Sequence, residues 1–201
     1  MIVCEGAKTE PIYLKTLVAS LGMTTAQVEV SGEGDPAPTS VVNFGESKFK
    51  DDPDFDLVFF VFDRDSHKDY DAAWLLVENL QKQPEFKGKV VAAITSIPCF
   101  EIWFLLHFEA HARPYEKGGR KSACGNLIAV LKGKKGFENY SKGRGDHFEL
   151  LHGRLPQAKI NAARTLKQLR EVGAPEHHGN PTTLMHTLVD ALEKVAAEYK
   201  R

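Results

Sequence analysis

Leu57-Val58-Phe59-Phe60-Val61-Phe62-Asp63-Arg64-Asp65 is the stretch that decides the fold. Its six apolar residues are rich in Val and Phe and are bounded by acids. That pattern reads as a strand buried on both faces, as in a parallel sheet covered by helices. Working outward, Met1 to Cys4 is a short apolar strand, Val28 and Val30 alternate with polar residues as a modest strand, and Val90 to Ile94 is a second buried strand. Helical patterns separate them. Thr9 stands as an N-cap with Glu10 and Pro11 in the first turn, and Leu14, Leu17, Val18 and Leu21 keep helical spacing up to Gly22. Val41 to Phe49 forms the next helix, and Tyr70, Ala73, Trp74, Val77 and Leu80 mark one face of another. Pro98 leads into the apolar helix Ile102 to Phe108. This order predicts an α/β fold, a mostly parallel sheet flanked by helices, over residues 1–110. Beyond about residue 110 the strand patterns stop. Helices are expected at Ala123 to Leu131, Gln157 to Arg170 and Thr182 to Tyr199, so residues 111–201 form a basic loop and a helical C-terminal region packed on the core.

The 201 residues are 42% apolar and 26% charged, which excludes fibrous and disordered classes. A chain of this size buries roughly 70% of its unfolded surface and folds without staples. The longest apolar run has six residues, against the roughly 20 needed to span a bilayer, and MIVCEGAKTE lacks the basic region of a signal peptide. Cys4, Cys99 and Cys124 are odd in number and show no CxxC spacing. They point away from a disulfide framework or a cysteine zinc site and toward a reducing cytoplasm.

The net charge of -1 conceals an asymmetry. Residues 1–110 hold 9 basic against 18 acidic side chains, whereas residues 111–170 hold 14 against 4. Lys117, Arg120, Lys121, Lys132, Lys134, Lys135, Lys142 and Arg144 lie among glycines in that second block. An acidic half suits cations, and a basic, glycine-broken loop suits a polyanion's phosphates, although a charge run also makes an ordinary solvated face.

Ligands of open parallel sheets bind beyond the carboxyl ends of the strands. Glu5 follows the first strand there, and Asp63 and Asp65 follow the buried one. Residues i and i+2 of an extended segment face one way, so Asp63 and Asp65 are expected to present two carboxylates together. Close carboxylates repel unless a cation lies between them, and Mg²⁺ suits such oxygen ligands. The competing reading is that the Asp-x-Asp triplet caps the following helix.

Three families put acidic pairs after a strand. Haloacid-dehalogenase-like phosphatases fit poorly, because Asp63 is mid-chain and followed by Arg64-Asp65-Ser66-His67. Glycosyltransferases with Asp-x-Asp generally need a longer chain. The Toprim domain puts a glutamate after its first strand and Asp-x-Asp after its third, as here. Cys4-Glu5-Gly6-Ala7-Lys8-Thr9-Glu10-Pro11-Ile12-Tyr13, Phe62-Asp63-Arg64-Asp65, Ser96-Ile97-Pro98-Cys99-Phe100-Glu101-Ile102-Trp103-Phe104-Leu105-Leu106-His107-Phe108 and Asn180-Pro181-Thr182-Thr183 together resemble the RloB family. These are Toprim-like proteins of restriction-linked and abortive-infection loci. Two features depart from the family pattern: only four residues precede Glu5, and Ile97 stands where Asn is expected.

The resemblance implies Mg²⁺- or Mn²⁺-dependent phosphodiester chemistry in an anti-phage system, on RNA (tRNA included) or DNA, beside an AAA/ABC-type ATPase. It implies Glu5 as a metal ligand or general acid/base, Asp63 and Asp65 as metal ligands, and Glu101 as a further carboxylate. Lys8 and Arg64 become phosphate-binding candidates with the basic block. The alternative is a non-catalytic Toprim-fold partner or sensor subunit of the ATPase. His107 reads as a core histidine, Thr9 and Glu10 as helix-start residues, and His177 and His178 as loop residues without chemistry.

Overall fold

The computed structural model describes residues 1–24, 30–32, 37–111 and 113–199. Among the described residues, five strands form one sheet in the order β2-β1-β3-β4-β5. β1 (Ile2–Cys4), β2 (Val30–Ser31), β3 (Leu57–Asp63) and β4 (Val90–Ile97) pair in parallel, and β5 (Thr182–Thr183) runs antiparallel to β4. Val28, expected in the second strand, lies outside the described residues. The helices are α1 (Thr9–Ser20), α2 (Pro38–Asp51), α3 (Tyr70–Leu80), α4 (Glu101–Leu106), α5 (Ala123–Leu131), α6 (His147–Leu151), α7 (Leu155–Glu171) and α8 (Met185–Tyr199). Among the described residues, no helix is long and apolar enough to cross a membrane.

The period of two along the strands sorts side chains into two layers. Val3, Val58, Phe60, Phe62, Val91 and Ala93 face the layer under α2 and α3. Ile2, Cys4, Phe59, Val61 and Ile94 face the layer shared with α1, α4, α7 and α8. Thus β3 is covered on both sides, and its alternating Phe residues fill both cores. Gly45 lets α2 press onto this sheet, since a Cβ there would meet the Phe60 ring at 2.5 Å. All six residues of α4 are buried, making that helix the hub for the C-terminal half. Trp103 Nε1 donates to Tyr13 Oη at 2.9 Å, and Asn161 Nδ2 donates to the Leu106 carbonyl at 2.8 Å, serving an end-of-helix acceptor. His107 sits in this core with its Nδ1 2.8 Å from the Trp103 carbonyl.

Three local expectations are corrected. Strands do not stop near residue 110: Thr182 and Thr183, expected at the head of the last helix, form β5, and α8 begins at Met185. Two β-branched residues suit the open edge of β4, where Thr183 Oγ1 and Ser96 Oγ meet at 2.9 Å. Lys8, not Thr9, is the N-cap of α1, so Thr9 and Glu10 both lie inside the first turn and are buried. Cys99 and Cys124 form a disulfide, against the reading from number and spacing. Cys99 precedes α4 and Cys124 lies in α5, and packing of these helices brings their Cα atoms to 5.6 Å. Sequence spacing carries no trace of that approach.

Candidate active site at the carboxyl ends of the strands

The parallel strands β1, β3 and β4 all end toward one side, and each delivers an acid there. Glu5 follows β1; its N–H still donates to the Val61 carbonyl at 2.8 Å, which fixes its backbone to β3. Its Oε2 accepts the Asp63 N–H at 2.9 Å, and its Oε1 lies 3.1 Å from His67 Nε2. Asp63 is the last residue of β3 and is buried, with Oδ2 accepting the Phe100 N–H at 3.0 Å. Glu101 opens α4 and is fully buried. Its Oε1 accepts from Tyr140 Oη at 2.7 Å and lies 3.7 Å from Lys142 Nζ. Its Oε2 lies 3.7 Å from Cys124 Sγ, a contact and not a hydrogen bond, because a disulfide sulfur carries no proton. Glu10, in the first turn of α1, completes a group of four acids.

These carboxylates act on one another. Burial, followed by the charges of Glu10, Glu5 and Glu101, holds Asp63 well above the usual carboxylate range. Burial pushes Glu10 up to about 8, with Glu101 and Glu5 adding to it and its own backbone hydrogen bond opposing. Burial also raises Glu5, against the Asp63 N–H and His67, which favour its charged form. Burial alone would lower Lys142, but attraction to Glu101, Asp63, Glu10 and Glu5 outweighs it and the lysine is raised. Lys142 reaches this position from the Ser141–Gly145 segment. Gly143 there has φ +85°, and a Cβ on it would touch Lys8 Cδ at 3.2 Å, so the glycine lets the loop lie against Lys8 beside the acids.

Not every expected residue joins this group. Asp63-Arg64-Asp65 is not extended: the strand ends at Asp63, Arg64 to His67 forms a turn closed by the His67 N–H on the Arg64 carbonyl at 3.0 Å, and Asp65 is exposed at φ +28°. The turn removes the geometric reason for Asp65 to face the same way as Asp63. Arg64 turns toward the C-terminal half, its guanidinium over the Tyr70 ring at 5.9 Å and Nη1 3.5 Å from the His178 carbonyl. In the basic block, Lys117, Arg120, Lys121, Lys132 and Lys135 are exposed. Lys134 pairs with Glu109 at 2.7 Å and Arg144 with Asp146 at 2.7 Å. Two members of the site escaped the sequence reading. Glu10 reads from the sequence as a helix-start residue, and only its burial beside the other acids separates the two roles. His67 carried no signal beyond its position four residues after Asp63.

A family model described as RloB-like protein matches residues 1–192 of the chain. The chain belongs to this family. The RloB-like match takes in all four acids, Lys142 and most of α8. No curated protein and no solved structure was found to match.

The donor set can be tested against a metal. Asp63 and Glu10 are raised by burial and by neighbouring acids, and Glu5 by burial, and a hard divalent cation among these oxygens would favour their charged forms. Among the described residues, neither Glu5, Asp63 and Asp65 nor any three of Glu5, Glu10, Asp63 and Glu101 form a group whose ligand atoms all lie within 4.8 Å of one another.

Proposed function

We propose that this RloB-like chain is a Toprim-type, Mg²⁺- or Mn²⁺-dependent nuclease that hydrolyses phosphodiester bonds in anti-phage defence. The observation that carries the reading is the convergence of Glu5, Glu10, Asp63 and Glu101 at the carboxyl ends of the parallel strands, with Lys142 among them. RNA, tRNA included, is the favoured substrate, and an AAA/ABC-type ATPase in the cytoplasm the favoured partner; both rest on family analogy.

Glu5 and Asp63, with Glu10 and Glu101 beside them, would hold the ion. When bound, it supplies Lewis-acid activation of the phosphate and of a water nucleophile. Glu5, oriented by the Asp63 N–H and His67, would serve either as a ligand to the ion or, with Asp63 as the ligand instead, as the base for the attacking water. Lys142 and Lys8 offer ammonium groups to the phosphate oxygens, and the exposed lysines of residues 111–135 grip the backbone without reading bases. A second reading, a non-catalytic partner or sensor of the ATPase, is favoured by one observation: Lys142 already neutralises part of the acid group.

Cleavage of tRNA, single-stranded RNA and plasmid DNA with Mg²⁺ or Mn²⁺ tests the proposal, with and without the ATPase. Glu5→Gln and Asp63→Asn should each lower cleavage at least 100-fold while leaving the circular dichroism spectrum unchanged. Metal-dependent cleavage that survives both substitutions would sink it. Stable ATPase binding by a chain that cleaves nothing under any metal would establish the second reading.

A further inference from the structure

Away from the acid group, α3 meets the Glu176–His178 turn that leads into β5. Asp71, in the first turn of α3, lies 107 positions from His178 in sequence, yet its Oδ1 is 2.9 Å from His178 Nε2. His177 stacks on Trp74 with ring centroids 4.3 Å apart and planes inclined by 14°. Tyr70 Oη donates to the His177 carbonyl at 2.8 Å, so the turn is held to α3 by backbone as well as rings. One ligand atom from each of Asp71, His177 and His178 lies within 4.8 Å of the other two.

We propose that Asp71, His177 and His178 bind a first-row transition-metal ion that clamps the approach to β5 onto α3. Two imidazoles and one carboxylate suit Zn²⁺, Co²⁺, Ni²⁺ or Cu²⁺ and not Mg²⁺, which prefers oxygen ligands. Donor atoms around a tetrahedral zinc stand roughly 3.3 Å apart, so the three groups must close by at most about 1.5 Å. The His178 and Asp71 side chains are 40% and 64% exposed, which leaves them room to rotate. Asp71 and Glu78 face His177 as negative charges and Arg64 as a positive one, so the surroundings admit a cation. The site is independent of the nuclease reading.

Trp74 supplies a local reporter, because the other tryptophan, Trp103, is fully buried in the core. The full-length protein, stripped with EDTA, is titrated with Co²⁺ or Ni²⁺ while tryptophan fluorescence is followed. Quenching should saturate at one equivalent, be competed by Zn²⁺ and be unaffected by Mg²⁺. His178→Ala and Asp71→Asn should each weaken binding at least tenfold. In the Glu5→Gln/Asp63→Asn background, which disables the proposed acid site, Trp74→Phe should remove the quench while calorimetry still records one bound ion. Glu5→Gln and Asp63→Asn should leave the titration unchanged. The proposal is overturned if no ion binds at micromolar concentration, if binding survives His178→Ala, or if Asp63→Asn abolishes it. In each of those cases the His178–Asp71 contact is only an ion pair joining the turn to α3.

Discussion

The Nζ of Lys142 lies 3.7 Å from Oε1 of Glu101, a carboxylate with no exposure to solvent. This contact joins the two halves of the charge asymmetry: a lysine of the basic block enters the group of acids contributed by the first half. It also makes Lys142 the natural competitor of any divalent cation at that group.

Lys142→Met keeps the bulk of the side chain and removes the charge. Four acids then lack their counter-ion, so the metal-free variant should melt below wild type at pH 8. Added Mg²⁺ should raise its melting temperature more than it raises that of wild type. The apparent affinity for Mg²⁺ should tighten by about tenfold, the effect of one like charge withdrawn from a buried site. Calorimetric titration measures this, and weaker Mg²⁺ binding by the variant would show that Lys142 does not compete.

Glu10 gives the stability a pH dependence whose sign is fixed. Its carboxyl is raised from 4.5 to about 8 in the folded chain, so the folded state holds the proton more tightly than the unfolded one. The resulting stabilisation is complete below about pH 4.5 and is lost as pH rises through about 8. Buried His107, lowered to about 4, acts oppositely, but only below the ordinary imidazole range near 6.5. Between about pH 6.5 and 8 the acid therefore dominates, and its contribution levels off above that. Metal-free wild type should lose stability across that interval, and Glu10→Gln should gain relative to it as pH rises. A constant difference between their melting temperatures would remove Glu10 from the coupled group.

Tyr140→Phe deletes the hydroxyl that donates to Glu101 at 2.7 Å. A buried carboxylate deprived of its closest donor costs about 1–3 kcal/mol. Urea unfolding should report a loss of that size with an unchanged m-value. A neutral result would mean that Lys142 moves in to replace the hydroxyl.

The Cys99–Cys124 bridge closes a loop across a separation of 25 residues, for which chain entropy predicts about 3.5 kcal/mol of stabilisation. Denatured, unreduced protein should titrate one thiol, Cys4, and reduced protein three. Cys124→Ser should lower stability by about the entropic amount under non-reducing conditions. Three free thiols in the unreduced protein would mean that the two sulfurs stand side by side unbonded.

The alternation of buried strands and amphipathic helices is local information, and it is legible without coordinates: Leu57 to Phe62 and the Tyr70–Leu80 face lie where the pattern puts them. Glu5 and Asp63 could likewise be picked out, because an acid at the carboxyl end of a strand in a parallel sheet has one place to go, whereas Glu101 was singled out only by the family resemblance. What the sequence could not carry is decided by long-range packing. Glu10 belongs to the acid group because α1 is seated with its first turn buried, and Lys142 joins it because a loop from the other half of the chain folds back over Lys8. Asp65 is carried outward by a single turn at φ +28°, which a strand pattern cannot anticipate. The pairing of Cys99 with Cys124, and the meeting of Asp71 with His177 and His178, depend on which helices and turns touch. Local periodicity thus determined the elements and their order, whereas the contacts between residues distant in sequence, fixed only when two cores close on one sheet, decided which side chains form a site.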